Sequence, residues 1–227
     1  MDKNIKDYRE KELKYYVIGN AFIILLLTRS LNGITANLPD ESCLAVPEIV
    51  KMLISAGIFA SILYVYVYIF DAIIPGDWKV RICNLGCPLP GETIFEDILN
   101  EKIKDKRFTK KSVVEKYKDI YEELEKLPVK QQKEVSNELW NKLYRICEFE
   151  PRILVSHRDY LLCRDICVAT VWIGIIYIAL VILSVVHFAY QVLIFLIVEL
   201  LLTNFATRKK QWMFARNVIA TDVHSPK

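Results

Sequence analysis

Glu199 is the side chain whose type and position point most directly to chemistry. It stands inside an apolar run, Ala189 to Ala206, and bringing a carboxylate to the middle of a bilayer costs about 3 kcal/mol on insertion scales. A group placed at that cost normally faces other helices or water, and marks an ion path, a gate or a contact between copies. The competing structural reading is a protonated acid bonded to a neighbouring helix. Asn20, Ser55, Ser61, Ser184 and Asn204 are polar side chains in the apolar runs that could meet it, and Arg29 can approach from the end of the first run. Glu199, Arg29 and Asn204 are therefore the intramembrane gating candidates.

Of the six cysteines, four form two pairs, Cys83 with Cys87 and Cys163 with Cys167. A spacing of four puts both thiols of a pair on one face if the segment is helical. Four thiolates would suit structural zinc, but Cys-x-x-x-Cys matches zinc spacing only loosely, so the expectation is free thiols and no cofactor. Cys147 and His157 lie nearby in sequence, while Cys43 stands alone in the first loop. His157-Arg158-Asp159 imitates the start of a kinase catalytic loop, yet Arg164 occupies the place of the required asparagine and no glycine-rich phosphate loop exists. His157, Arg158, Asp159, Arg164 and Asp165 are read instead as a juxtamembrane coupling cluster that pairs internally, with lipid phosphates or with the polar middle of the chain. No Ser/His/Asp grouping or His-Glu-x-x-His is present, and no enzyme activity is expected.

The elements that must position these residues are four apolar stretches: Tyr16 to about Ile34, Leu53 to Ile74, Ile166 to about Val186, and Ala189 to Ala206. Each approaches the roughly 20 helical residues that cross a hydrocarbon core. The last two form one run that as a straight helix would extend roughly 60 Å at about 1.5 Å per residue, so the chain must fold back near His187, Tyr190 and Gln191. The expected fold is all-α, a polytopic membrane protein with four transmembrane helices, two plus two, around a helical cytoplasmic insert. A two-span chain with a buried or re-entrant second half is the alternative. The segments are an N-terminal stretch 1–15, a first transmembrane pair 16–75, the insert 76–165, a second pair 166–206 and a tail 207–227.

Charge gives the orientation. Of the 30 Lys and Arg residues, the first loop holds Arg29 and Lys51 and the turn near His187 holds none. Positive residues stay on the cytoplasmic side, which puts both termini and the insert in the cytosol. The first span, preceded by Lys3, Lys6, Arg9, Lys11 and Lys14 and followed by Arg29-Ser30-Leu31, reads as a permanent anchor and not a cleaved signal. The basic face suits anionic lipid head groups; no direct nucleic-acid contact is assigned.

Within the insert, Thr93 and Glu96 fit a capping box that opens a helix from about Thr93 to Ile103. A solvated lysine-rich linker follows. Val113, Tyr117, Ile120, Leu124 and Leu127 then form one helical stripe, faced by Val135, Leu139, Leu143 and Ile146 with Trp140 and Tyr144. Two such helices bury too little to stand alone, so support is expected from the membrane region, another copy or a partner. Ile153 to Asp165 reads as a stalk continuous with the third span.

Three junction segments carry a resemblance: Cys87-Pro88-Leu89-Pro90-Gly91-Glu92-Thr93-Ile94-Phe95, Tyr144-Arg145-Ile146-Cys147, and His157 through Asp165. They resemble small bacterial membrane proteins of anti-phage defence operons, both the transmembrane effectors that accompany retron reverse transcriptases and the membrane subunit of the Kiwa system. Some retron effectors have two spans, where four are expected here. The resemblance implies an inner-membrane protein, self-associating, triggered by a cytoplasmic partner such as a reverse transcriptase complex or a DNA-binding defence protein, and acting on membrane integrity. A membrane sensor that recruits a DNA-acting partner and a small ion channel or transporter subunit are the two other classes.

Overall fold

The computed structural model describes residues 5–28 and 46–224, and every regular element among them is a helix. In chain order these are α1 (Ile5–Leu27), α2 (Val46–Ile73), α3 (Gly76–Asn84), α4 (Pro90–Leu99), α5 (Lys110–Lys116), α6 (Lys118–Glu125), α7 (Val129–Cys147), α8 (Pro151–Ile182) and α9 (Tyr190–His224). They divide into two compact units. Unit 1 takes the described residues of 1–83 and Leu162–Phe205, and unit 2 takes Asn84–Leu161 with the described residues from Ala206 onward.

In unit 1, residues three and four apart build a common core. Leu13, Val17, Ala21 and Ile24 of α1 meet Ala60, Leu63 and Val67 of α2, Ala169, Ile173 and Tyr177 of α8, and Val192 and Leu196 of α9. The opposite faces are equally apolar but outward. Ile54, Ile58, Ile62 and Ile69 on α2, and Ile194, Ile197, Leu201 and Phe205 on α9, are all exposed. A helix apolar all round, with its outer side bare of polar cover, belongs in a solvent that is itself apolar. Leu53–Ile73, Pro151–Ile182 and Tyr190–His224 are long and apolar enough to cross a membrane. The charged opening half of α1 keeps it from that length, and the expected first span is described only as far as Thr28.

The long apolar run folds back where expected. α8 ends in a turn in which Val185 N–H bonds to Leu180 C=O and Ser184 N–H to Val181 C=O, with Ser184 at φ 57°. That is the Schellman closure usually given to glycine. Tyr177 then secures the start of α9, its hydroxyl accepting from Ala189 N–H at 2.8 Å and donating to Ala189 C=O at 3.2 Å. The stalk expectation also agrees, since α8 is unbroken from Pro151 to Ile182.

Unit 2 differs from the sequence reading in four places. Helix α4 opens at Pro90 and closes at Leu99, not at Thr93 and Ile103. Proline has the φ a first helical residue needs and lacks the N–H that would go unbonded there, and Glu92, not Glu96, reaches back to Leu89 N–H at 3.0 Å. The stripe beginning at Val113 is cut into α5 and α6 at Tyr117, whose φ of −109° and ψ of 31° leave the helical region. The break turns its ring edge-on to Phe95 at 5.8 Å and lets its hydroxyl donate to Asp222 at 2.6 Å. On α7 the buried positions are Ser136, Trp140 and Cys147, and Ile146 is 71% exposed, because α7 packs chiefly on α4 and not on the stripe. The lysine-rich linker is anchored, with Phe108 buried and Arg107 bonded to Asn217 at 2.5 Å.

The support this small helical group requires comes from the end of the chain itself. Phe214, Ala215, Val218 and Ile219 of α9 lie in the same core as Ile94, Phe95, Trp140 and Ile153.

Candidate functional site

Glu199 sits on α9 with its nearest polar partners on α1. The Asn20 amide nitrogen donates to Glu199 Oε1 at 3.1 Å and to the Tyr16 carbonyl at 3.2 Å. One turn away, the Tyr16 hydroxyl and Thr170 Oγ1 of α8 are 2.7 Å apart. Thr170 also donates to the Ile166 carbonyl at 3.0 Å. Thr203, one turn beyond Glu199, returns its hydroxyl to the Glu199 carbonyl at 2.8 Å. A chain of neutral amide and hydroxyl groups on α1 and α8 thus leads to the carboxyl, which Asn20 contacts directly. Among the partners named from sequence, Asn20 is the one that meets it. Ser61 bonds to its own helix at Gly57 C=O, and Arg29, with Cys43 and the first loop, lies outside the described residues.

Asn204, the other described gating candidate, contacts α3. It is buried and its amide donates to the Cys83 carbonyl, satisfying a group at the end of α3.

A second set of charges lines a cleft of about 300 Å³ in unit 1. Lys79 of α3 pairs with Asp71 of α2 at 2.7 Å, both largely buried. Arg164 donates twice to Asp165 Oδ1 of the same helix, at 3.0 and 2.8 Å, and Asp165 is 1% exposed. Glu10 of α1 faces the same space. Sequence reading did not single out Asp71 or Lys79. An aspartate at the edge of the second apolar stretch, eight residues before a lysine, was the available signal.

The five juxtamembrane residues are divided between the two units. Arg164 and Asp165 belong to unit 1; His157, Arg158 and Asp159 belong to unit 2. There Asp159 takes Arg158 at 3.0 Å and Lys210 at 2.9 Å. His157 is held between rings, stacked on Phe214 at 4.9 Å and bonded through Nδ1 to the Tyr144 hydroxyl at 3.0 Å.

The four-thiol arrangement is not formed. Cys83 and Cys167 come together in a small core with Val168, but the left-handed residues Leu85 and Gly86 end the helix before Cys87, so Cys83 and Cys87 share no helix face. Among the described residues no group of three or more His, Cys, Asp or Glu side chains can hold a metal ion.

Unit 2 adds a groove of about 110 Å³ lined by the apolar Leu99, Leu124 and Val129 and by the charged Glu92, Glu96, Glu125 and Lys133. Nearby, Asp105 is held below the usual carboxylate range by hydrogen bonds from Arg107, and burial raises the Cys147 thiol.

No protein-family model matches the chain, and neither the curated proteins nor the solved structures give a match to it.

Proposed function

We propose that this chain is an effector of the bacterial inner membrane that makes the membrane permeable when a cytosolic partner engages unit 2. In this reading α1, continued through residues beyond Thr28, joins α2, α8 and α9 as four spans, and both termini and unit 2 lie in the cytosol. Several copies assemble around the bundle. The observation that carries the reading is Glu199, an ionisable group in an apolar helix, held by Asn20 from another helix. An ionisable group at membrane depth is costly and marks an ion path, a gate or a contact between helices. The unbroken α8 supports transmission, since its residues from Pro151 contribute to unit 2 and those from Leu162 to unit 1. The basic balance of the segments outside the apolar stretches supports the orientation. The likeness of the junction segments to anti-phage defence proteins supplies the setting, in which a reverse transcriptase complex or a DNA-binding protein is the trigger.

The test is induced expression in a bacterial host with a potential-sensitive dye. The wild type should collapse the membrane potential and Glu199→Gln should do so less. An intact potential in both overturns the effector reading. The groove of unit 2, lined by three glutamates and one lysine, favours a second reading, a membrane scaffold, which predicts co-purification of a cytosolic DNA-acting protein with no dye response.

A further inference from the structure

Two of the buried oxygens in unit 1 that have no hydrogen-bond partner among the described residues belong to side chains already in contact. They are Asn20 Oδ1 and Glu199 Oε2. The amide's orientation is fixed by its second bond. Its nitrogen also donates to the Tyr16 carbonyl, which can only accept, so Oδ1 is the acceptor left over. An ionised Glu199 is an acceptor at both oxygens. It can take the amide hydrogen on Oε1, but Oδ1 and Oε2 then have nothing to share.

A single proton on Oε2 resolves both deficits. The acid O–H donates to Oδ1 while Oε1 accepts from Nδ2, giving the paired two-bond contact of a carboxylic acid with a primary amide. None of the neighbouring hydroxyls is hydrogen-bonded to either oxygen: Tyr16 lies 2.7 Å from Thr170 Oγ1, Thr170 donates to the Ile166 carbonyl, and Thr203 donates to the carbonyls of Glu199 and Leu200.

We propose that Glu199 and Asn20 form a proton-binding clasp between α9 and α1, whose ligand is one exchangeable proton and whose release leaves two facing acceptors that part the helices. The clasp rests on the reading that Glu199 controls permeability, and it names protonation as the control. The O–H bond of the acid breaks, its electron pair stays on the carboxylate, and the proton passes to water.

The exchange route lies toward the charged cleft. Leu13 lines that cleft and Tyr16 stands three residues further on, about 4.5 Å along the helix. From Asp165 to Thr170 on α8 the rise is about 7.5 Å. The titratable groups nearest the clasp are Tyr16 on α1 and Cys167 on α8. Beyond them stand Glu10 on α1, Asp71 on α2 with its partner Lys79 on α3, and the Arg164 and Asp165 pair on α8. Toward the other end of the bundle Ile24, Ile173, Val192 and Leu196 are buried and apolar.

Infrared difference spectroscopy on the full chain in lipid nanodiscs tests the clasp. Glu199→Gln makes the same two bonds to Asn20 with no exchangeable proton, and so preserves the contact. At neutral pH the wild type should show the C=O stretch of an un-ionised carboxyl that Glu199→Gln lacks, and the band should vanish as pH is raised. Asn20→Leu should keep the band and shift its frequency, because the acid loses its acceptor. A wild type without that band at neutral pH, or a frequency indifferent to Asn20→Leu, overturns the proposal. A band without any membrane leak sinks the effector reading and leaves the clasp standing, whereas a leak without the band does the reverse.

Discussion

Phe214 carries a large share of unit 2 on one ring. It is 5% exposed, stacks on His157 at 4.9 Å and meets the Trp140 and Tyr144 rings edge-on at 5.4 and 5.3 Å. Removing a buried ring of this size costs about 3–5 kcal/mol. Phe214→Ala should therefore lower the unfolding free energy of unit 2 by about that amount, read from tryptophan fluorescence in denaturant. Gly91 makes a tighter local case. A Cβ there would stand 2.4 Å from Asn137 Oδ1 and 3.3 Å from Trp140 Cε3, where Ser136 also bonds to the Gly91 carbonyl at 2.7 Å. The amide can swing aside but the indole cannot, so Gly91→Ala should cost about 1–3 kcal/mol through overpacking. Asp105 sets a pH dependence. Its folded-state pKa lies below its unfolded one, so its contribution is complete above about pH 4 and is lost as the pH falls through the lowered value. Asp105→Asn should remove about 1 kcal/mol at neutral pH and make the acid limb of the stability curve shallower than that of the wild type. At this scale Glu199 and Asn20 were legible because polar groups are conspicuous in an apolar run. The pairing of Cys83 with Cys167, and not with Cys87, was hidden because it depends on a left-handed turn at Leu85 and Gly86.

Helix ends, more than helices, separate what sequence showed from what it concealed. The length of the apolar runs marks where α2, α8 and α9 must be, and the absence of Gly and Pro between Arg152 and Gly174 correctly implied that the stalk runs unbroken into α8. The stripe from Val113 to Leu127 keeps perfect helical spacing and still breaks at Tyr117, because the hydroxyl of that residue bonds to Asp222, 105 positions later. No local pattern reports a contact of that range. The same applies to the start of α9, where Tyr177 serves both the N–H and the C=O of Ala189. Tyr177→Phe leaves the ring in the core but takes away both bonds. It should destabilise the connection by about 1–2 kcal/mol, seen as faster proteolysis between Ile182 and Tyr190 with little change in the unfolding of unit 2.

The whole molecule is defined by an unequal distribution of apolar surface. Unit 1 turns isoleucine, leucine and phenylalanine outward along α2, α8 and α9, while unit 2 buries its aromatic residues around Phe214 and keeps lysine and glutamate outside. The contrast between apolar and charged stretches is legible in composition, and the tail's place in the core of unit 2 was missed because its basic residues were read only as charge. Lys210 in fact pairs with Asp159, and the apolar side chains between the basic ones do the packing. The bilayer as solvent for unit 1, with unit 2 in the cytosol, is the claim on which the functional reading stands. It is tested most directly by paired topology reporters fused at Glu125, with alkaline carbonate extraction of the same cells. Fluorescence from a cytosolic reporter, an inactive periplasmic phosphatase and retention in the membrane pellet are the predicted results. An active phosphatase at Glu125, or release of the chain into the carbonate supernatant, would contradict the account.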